Sequence, residues 1–235
     1  MYLLSLDTCD ARGSIALLRD GETLGELAHP ATEEYSSWLI PAVNHVLSQH
    51  NLSHAELEGY AVASGPGSFT GVRVGLTTAK AWAEVFSRPI FAVSRLKVLA
   101  NLAPGQSRYV AAFLDAQRKQ IFAGLFQRTS GQWELLGDES VIDPTEFFER
   151  VLATVGNAPF SWLTLDPELL AENPFWGSHG RKDASIVAVT PPLASAIGRY
   201  AFANLLQEGT DALALDANYV RRSDAEIFGK KAAGT

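Results

Sequence analysis

The fold of this chain is indicated first by residues 2–28, which read YLLSLDTCDARGSIALLRDGETLGELA. Three short apolar runs, over residues 2–6, 14–18 and 23–28, predict three consecutive strands. A turn with Asp-Gly at its centre, residues 19–22, joins the second strand to the third as a hairpin. The chain therefore opens with three strands in meander order, and the first strand ends at Asp7.

Helices and strands alternate after this meander. Thr32 is a plausible cap for a first helix, and Pro41 within the helical pattern predicts either the start of the regular helix or a kink. Strands are predicted over residues 60–64 and 89–93, with a helix over about 72–87 between them. A third helix follows, so the order is β-β-β-α-β-α-β-α.

The same order partly repeats in the second half of the chain. Residues 109–114 predict a strand that ends in Asp115, as the first strand ends in Asp7. Further strands follow, and Asp143-Pro144 is typical of a helix start. This repetition predicts an α/β chain of two duplicated β-β-β-α-β-α domains, over residues 1–103 and 104–235. It is the plan of the actin-like ATPase and sugar-kinase fold, with a degenerate second copy.

Composition excludes several classes of protein. The 235 residues are 47% apolar and carry a net charge of -7, which argues against a nucleic-acid binder that works by bulk positive charge but leaves local basic patches possible. The single cysteine, Cys9, excludes a disulfide framework and a cysteine zinc cluster. No apolar run is long enough to span a membrane, and the N-terminus lacks signal-peptide features, so we expect a cytoplasmic protein.

A glycine-rich loop precedes the second predicted helix. Its residues are Gly65, Pro66, Gly67, Ser68, Phe69, Thr70 and Gly71. Such a loop can present N–H groups to an anion at a helix N-terminus, but it matches neither the Walker loop nor the dinucleotide fingerprint. We favour a structural turn that brings the helix close to the sheet, with phosphate binding as the alternative.

The second predicted helix carries a face of small residues, four apart. These are Gly71, Gly75, Ala79 and Ala83, with Trp82 beside them. Such a face allows another helix to approach closely. It is therefore either a partner interface, together with Trp38 and Ala42 of the first helix, or a surface that packs inside the chain.

The candidate chemical groups do not form a complete site. Asp7 could help to hold a metal, but Asp10 puts a second negative charge where phosphate would lie, and no glycine follows Asp115 within its hairpin. The five histidines, including the pair His50 and His54, are interpreted as solvated surface. Cys9 is either a nucleophile or, as we favour, a half-buried structural thiol. We therefore expect no cofactor, no metal and no catalytic residue.

Several blocks resemble the TsaB family, also called YeaZ. They are residues 4–8, 65–75, 92–96, 114–118 and 219–226, which read LSLDT, GPGSFTGVRVG, AVSRL, LDAQR and YVRRSDAE. The resemblance implies an actin-like fold and a role in threonylcarbamoylation of the tRNA adenosine next to the anticodon. It also implies a heterodimer with the paralogue TsaD, which transfers the group, and an association with the ATPase TsaE.

The resemblance further implies a catalytically silent chain. TsaD carries two metal-binding histidines four residues apart on the helix after its fifth strand, where this chain has Ser94 and Val98. We therefore expect a scaffold for TsaD, with a homodimer possible when TsaD is absent and direct contact with tRNA left open. The main alternative is a small ATP-dependent kinase or hydrolase of the actin-like fold. A peptidase that acts on the paralogue ranks last.

Overall fold

The computed structural model describes residues 1–30, 32–181 and 184–204. Its first sheet has five strands in the order β3-β2-β1-β4-β5. Their bounds are β1 Tyr2–Asp7, β2 Ser14–Arg19, β3 Glu22–Ala28, β4 Gly59–Gly65 and β5 Ile90–Ser94. The predicted meander is confirmed, because β2 lies between β1 and β3 and is antiparallel to both.

The second sheet is formed by the later strands, in the order β11-β10-β6-β7-β8, and β9 pairs with β7 beside this path. Their bounds are β6 Tyr109–Asp115, β7 Ile121–Thr129, β8 Gln132–Leu135, β9 Ser140–Ile142, β10 Phe160–Thr164 and β11 Ser185–Ala188. The sequence pattern did not predict β9, since three residues are too few to show an alternation.

The two sheets repeat one topology. In the first sheet, β1 pairs antiparallel with β2 and parallel with β4. In the second sheet, β6 pairs antiparallel with β7 and parallel with β10. Each sheet thus has a meander on one side of its first strand and parallel strands on the other, as the predicted duplication requires.

Seven α-helices occur within the described residues, besides one short 3-10 helix over His54–Glu56. They are α1 Tyr35–Gln49, α2 Phe69–Phe86, α3 Arg95–Asn101, α4 Pro144–Val155, α5 Glu168–Ala171, α6 Pro174–His179 and α7 Ala194–Asn204. Side-chain caps fix the starts of α2 and α3, because Ser68 accepts a bond from the Gly71 N–H and Ser94 accepts one from the Lys97 N–H. The prediction for Thr32 is wrong: α1 begins after Glu34, and Pro41 lies inside it.

The helices α2 and α7 pack on opposite faces of the first sheet. A Cβ on Gly198 of α7 would approach Ser5, whereas a Cβ on Gly75 of α2 would approach Val62. Val62 is the register partner of Leu6, and neighbouring residues of a strand point to opposite faces. The first sheet is therefore covered by α2 on one side and by α7, from the second half of the chain, on the other.

The proposed boundary at residues 103/104 separates the strands of the two sheets. It does not separate all the helices, because α7 contacts β1, β2 and β4. We keep this boundary as a proposal for the strands and place α7 with the first sheet. No helix among the described residues has the length and apolar character needed to cross a membrane.

Candidate functional site

The glycine-rich loop lies directly on the hairpin between β1 and β2, residues 8–13, which we call the first hairpin. A Cβ on Gly67 would lie 2.3 Å from the Cys9 carbonyl oxygen, and one on Gly71 would lie 2.1 Å from that of Thr8. The Ser68 N–H donates to the Cys9 carbonyl at 2.6 Å. Only glycine permits this backbone approach, which supports the structural interpretation of the loop.

The small-residue face of α2 packs inside the chain. Ala79 and Ala83 are buried, and a Cβ on Gly75 would meet the Thr8 Oγ1 atom at 2.4 Å. Trp38 and Ala42 of α1 are buried as well. Burial of these residues favours packing inside the chain over the predicted partner interface, whereas Trp82 is half-buried and stays a proposed interface residue. Because the chain's own sheet covers this face, a partner helix could reach it only by displacing the sheet.

The first hairpin directs its backbone donors to the chain's own side chains. The Cys9 N–H donates to Asp7 Oδ1 at 3.0 Å, and the Arg12 N–H donates to Asp10 Oδ1 at 2.8 Å. The Gly13 N–H donates to the Tyr35 hydroxyl at 3.1 Å, and this hydroxyl donates in turn to the Asp10 carbonyl. These three donors would each have to change partner before they could hold a phosphate.

A buried arginine neutralises the two carboxylates of the first hairpin region. Arg95, at the start of α3, places Nε 3.1 Å from Asp7 Oδ2 and donates from a terminal nitrogen to Asp10 Oδ2 at 2.8 Å. The side chains of Arg95 and Asp7 are 2% and 0% exposed. Burial raises the pKa of Asp10, but the charges and hydrogen bonds of Arg95 and Arg12 together outweigh burial, so that pKa is lowered. The Arg95 guanidinium thus occupies the position beside these two carboxylates that a bound metal cation would need.

A second arginine connects the first hairpin to the other sheet. Arg12 donates to Asp166 Oδ1 at 2.7 Å, just after β10, and also contacts Asp10. Asp166 Oδ2 accepts from the Asp115 N–H at 2.9 Å. The Asp166 carboxylate therefore bridges the first hairpin and the hairpin that follows β6.

A cleft of about 230 Å³ opens between the first hairpin, α1 and the N-terminus of α2. Its wall includes Thr8, Asp10, Tyr35, Ser68, Thr70 and Val74. Burial raises the pKa of the Tyr35 hydroxyl, so it stays protonated at neutral pH. The cleft is mixed in polarity, and its carboxylate from Asp10 is already paired with arginine.

The other candidate groups take structural positions. Cys9 is fully buried rather than half-buried, and burial raises the pKa of its thiol well above the usual value, which disfavours a thiolate nucleophile. His54 is not simply solvated: it stacks on Phe86 and contacts the Tyr60 hydroxyl at 3.2 Å. Among the described residues, no group of three or more His, Cys, Asp and Glu side chains could hold a metal ion.

Sequence reasoning missed the residues that complete this site. Arg95, Arg12 and Tyr35 come from three separate segments and meet only in the folded chain. The one signal available was the pair Asp7 and Asp10, because two acids at the end of a buried strand require a positive partner.

Comparison with known proteins gives a consistent result. The family model described as TsaD, tRNA N6-adenosine threonylcarbamoyltransferase, matches residues 27–216. The chain is similar to the tRNA threonylcarbamoyladenosine biosynthesis protein TsaB of Escherichia coli, with 31% identity over 72% of this chain and 76% of that protein. The TsaB of Bacillus subtilis is 35% identical over 60% of this chain and 62% of its own length.

The comparison with solved structures is consistent with the sequence relatives. YeaZ from Pseudomonas aeruginosa is 28% identical and superimposes with a TM-score of 0.71, over 91% of this chain and 96% of that chain. A putative N-acetylmannosamine kinase from Listeria monocytogenes, 13% identical, has a TM-score of 0.54 over 89% of this chain and all of that chain. This second likeness shows the fold alone, and it confirms the predicted sugar-kinase architecture.

Proposed function

The chain belongs to the TsaB family, also called YeaZ, and from this premise we propose that it is a non-catalytic scaffold and activator of a TsaD-type transferase. It serves threonylcarbamoylation of the tRNA adenosine next to the anticodon, in the cytoplasm. It forms a heterodimer with the TsaD-type paralogue, and a TsaE-type ATPase joins the pair. The observation that carries the proposal is the occupation of the first hairpin by the chain's own groups.

This occupation argues against independent phosphate chemistry. A phosphate at the first hairpin would compete with Asp10 and Tyr35 for the Arg12 and Gly13 N–H groups. A divalent cation beside Asp7 would have to displace the buried Arg95 guanidinium. Both steps require breaking contacts that stabilise the fold, so the chain is better suited to hold a shape than to turn over a nucleotide.

The exposed side of α1 and α2 is the proposed contact surface for the paralogue. All fifteen residues of α1 lack an Asp, Glu, Lys or Arg side chain. Ile40 is 54% exposed on α1, and Val85 is 73% exposed on α2. The two helices contact each other. Charge depletion with exposed apolar side chains is typical of interface cores, and the same surface would close a homodimer when the paralogue is absent.

The match to the TsaD family model favours a TsaD-type paralogue as the protein that binds this surface. A TsaD family model aligns with most of this chain, so the two proteins share a fold and can present equivalent helices to each other. For the alternative function, an ATP-dependent kinase or hydrolase, the described residues offer no support beyond the fold. Its expected carboxylate, Asp7, is 0% exposed and ion-paired.

Reconstitution tests the proposed function. Purified TsaD-type paralogue, TsaE-type ATPase, threonylcarbamoyl-adenylate synthase and tRNA are assayed with and without this chain. We expect modified tRNA to form only when the chain is present. The isolated chain with ATP and magnesium should show no turnover in the same conditions. Full tRNA modification in the absence of the chain would overturn the proposal.

Surface variants test the contact surface separately. Ile40→Glu and Val85→Glu each place a charge on the proposed interface, and we expect both to abolish co-elution with the paralogue. Ile186→Glu is the matched control, since Ile186 is 47% exposed but lies on β11 of the second sheet. Co-elution that survives both interface variants, or that fails equally in the control, would contradict the assignment.

A further inference from the structure

The outer strand of the second sheet, β11, has an open edge. The Val189 N–H donates to the Thr164 carbonyl of β10 at 2.8 Å, and backbone groups alternate in direction along a strand. Val187 therefore also faces β10, whereas Ile186 and Ala188 direct their N–H and C=O groups away from the sheet. Among the described elements, β11 packs mainly against β10, and no other described strand pairs with it.

The composition of β11 does not protect this edge. Natural sheets protect open edges with charged side chains, proline or a covering element. The strand Ser185–Ala188 has no charge and no proline, and Ile186 is 47% exposed. The other three edge strands differ, because β5 is largely buried and β3 and β8 carry glutamates, which are Glu22, Glu26 and Glu134. Within the described part of the chain, β11 is thus the edge best suited to pair with another strand.

The edge of β11 is complementary to itself. In an antiparallel pair, residues whose backbone points outward on both strands exchange hydrogen bonds. A two-fold axis at Val187 brings Ile186 of one copy opposite Ala188 of the second, so each outward residue meets an outward residue. The large side chain then lies beside the small one on the exposed face. On the opposite face, Val187 and Val189 continue the apolar surface that already packs against the core.

We propose that β11 pairs antiparallel with β11 of a second copy and joins the second sheets of two chains into one continuous sheet. A closed two-fold pair covers both open edges at once. A second copy is favoured over a different protein, because the strand carries no charge that would select another partner and the same edge supplies the matching register.

The proposed pair is weak, and it is separate from the surface proposed for the paralogue. A strand of four residues buries less than the about 1,200 Å² at which stable interfaces begin, so the homodimer forms only at high concentration. The strand makes no extensive contact with α1 or α2. One chain can therefore bind a paralogue and a second copy at the same time.

Disulfide trapping tests the register. In the proposed pair, Val187 lies opposite Val187 of the second copy, and the two Cα atoms are about 4.5 Å apart, which suits a disulfide. We expect Val187→Cys to give a disulfide-linked dimer under mild oxidation, while the buried Cys9 does not compete. Ser185→Cys is the matched control, because Ser185 lies roughly 13 Å along the strand from its own counterpart. Equal yields of dimer from the two variants would contradict the register.

Sedimentation equilibrium of the full chain tests the reversible dimer. We expect Ala188→Pro to weaken self-association about tenfold or more, because it removes an outward N–H from each copy but keeps the bonds to β10. Ile186→Glu and Ile186→Lys should each weaken it as well. An equimolar mixture of these two variants should associate more strongly than either alone, since the two side chains are diagonal neighbours across the pair. A folding defect would not produce this rescue.

Three results would overturn the inference. They are an unaltered chain that stays monomeric at every concentration, self-association that neither Ala188→Pro nor the Ile186 variants weaken, and self-association that only Ile40→Glu and Val85→Glu abolish. The last result would assign the homodimer to the α1 and α2 surface. Ile186→Glu should keep its co-elution with the paralogue, so the outcome for β11 is independent of the proposed function.

Discussion

Arg95 and Asp7 form an ion pair in which neither partner reaches solvent: their closest atoms are 3.1 Å apart, and their side chains are 2% and 0% exposed. The pair joins the start of α3 to the end of β1. Burial lowers the pKa of Arg95, but the charges of Asp7 and Asp10 outweigh it and raise that pKa, so Arg95 stays charged. An isolated charge is costly in this environment, so each of the two groups depends on the other.

Removal of one partner should therefore cost more than removal of both. We expect Arg95→Met to lower the free energy of unfolding by about 3–5 kcal/mol, since it leaves Asp7 buried without a counter-charge. The double variant Arg95→Met/Asp7→Asn should recover more than half of that loss. Urea unfolding of the two single variants and the double variant measures the coupling.

An additive result would contradict this account. If Arg95→Met and Asp7→Asn each lowered stability and their effects summed in the double variant, the two groups would not act as a pair. Arg150→Met provides a control for the loss of an arginine, because Arg150 is exposed on α4.

Local sequence chemistry was enough to predict much of the fold. Asp143 could be recognised as a helix cap because its side chain bonds to backbone N–H groups only two and three residues ahead. The carboxyl end of β1 was recognisable from Asp7. The pairing of Asp7 with Arg95 was not, because 88 residues separate them and nothing local distinguishes Arg95 from other arginines.

The small-residue face of α2 is a second case in which a local pattern does not identify the contact partner. Spacing alone predicts that a helix with Gly75 and Ala79 on one side will be approached closely, but it does not identify what approaches. In the structure it is the chain's own Thr8 and Val62. The exposed residues Ile40 and Val85, which carry the proposed interface, form no motif that a single sequence reveals.

A bulky residue at position 75 should therefore damage the fold itself. We expect Gly75→Leu to lower the free energy of unfolding by about 1–3 kcal/mol or more, because its Cβ alone would lie 2.4 Å from Thr8 Oγ1. Thermal unfolding of the isolated chain measures this without any partner. Val85→Leu is the control on the same helix, since Val85 is 73% exposed, and its midpoint should not move. Unaltered stability of the Gly75→Leu chain would contradict internal packing at this position and would favour its role in a partner interface.

Tyr35 should hold the first hairpin through its hydroxyl. We expect Tyr35→Phe to leave the Gly13 N–H without its acceptor and to lower stability by about 1–3 kcal/mol. Amide hydrogen exchange at Gly13 should accelerate in this variant. Tyr109→Phe, on the second sheet, is the control and should leave exchange at Gly13 unchanged. Unaltered Gly13 exchange in Tyr35→Phe would show that the hydroxyl does not secure the hairpin.

His54 should make stability fall in mild acid. Burial among Tyr60, Trp82 and Phe86 lowers its pKa below the usual value, so the folded chain favours the neutral ring. Because the pKa of His54 is lower in the folded chain than in the unfolded chain, its contribution to stability is complete above the unfolded pKa of about 6.5. This contribution declines as the pH falls towards the folded pKa, since the unfolded chain then binds the proton more readily. Urea midpoints at pH 7.5 and pH 5.5 should therefore differ more for the unaltered chain than for His54→Phe, whose ring cannot take up a proton. His45→Phe, on the exposed side of α1, should keep the full difference. If His54→Phe loses as much stability as the unaltered chain over this range, the acid sensitivity arises from another group.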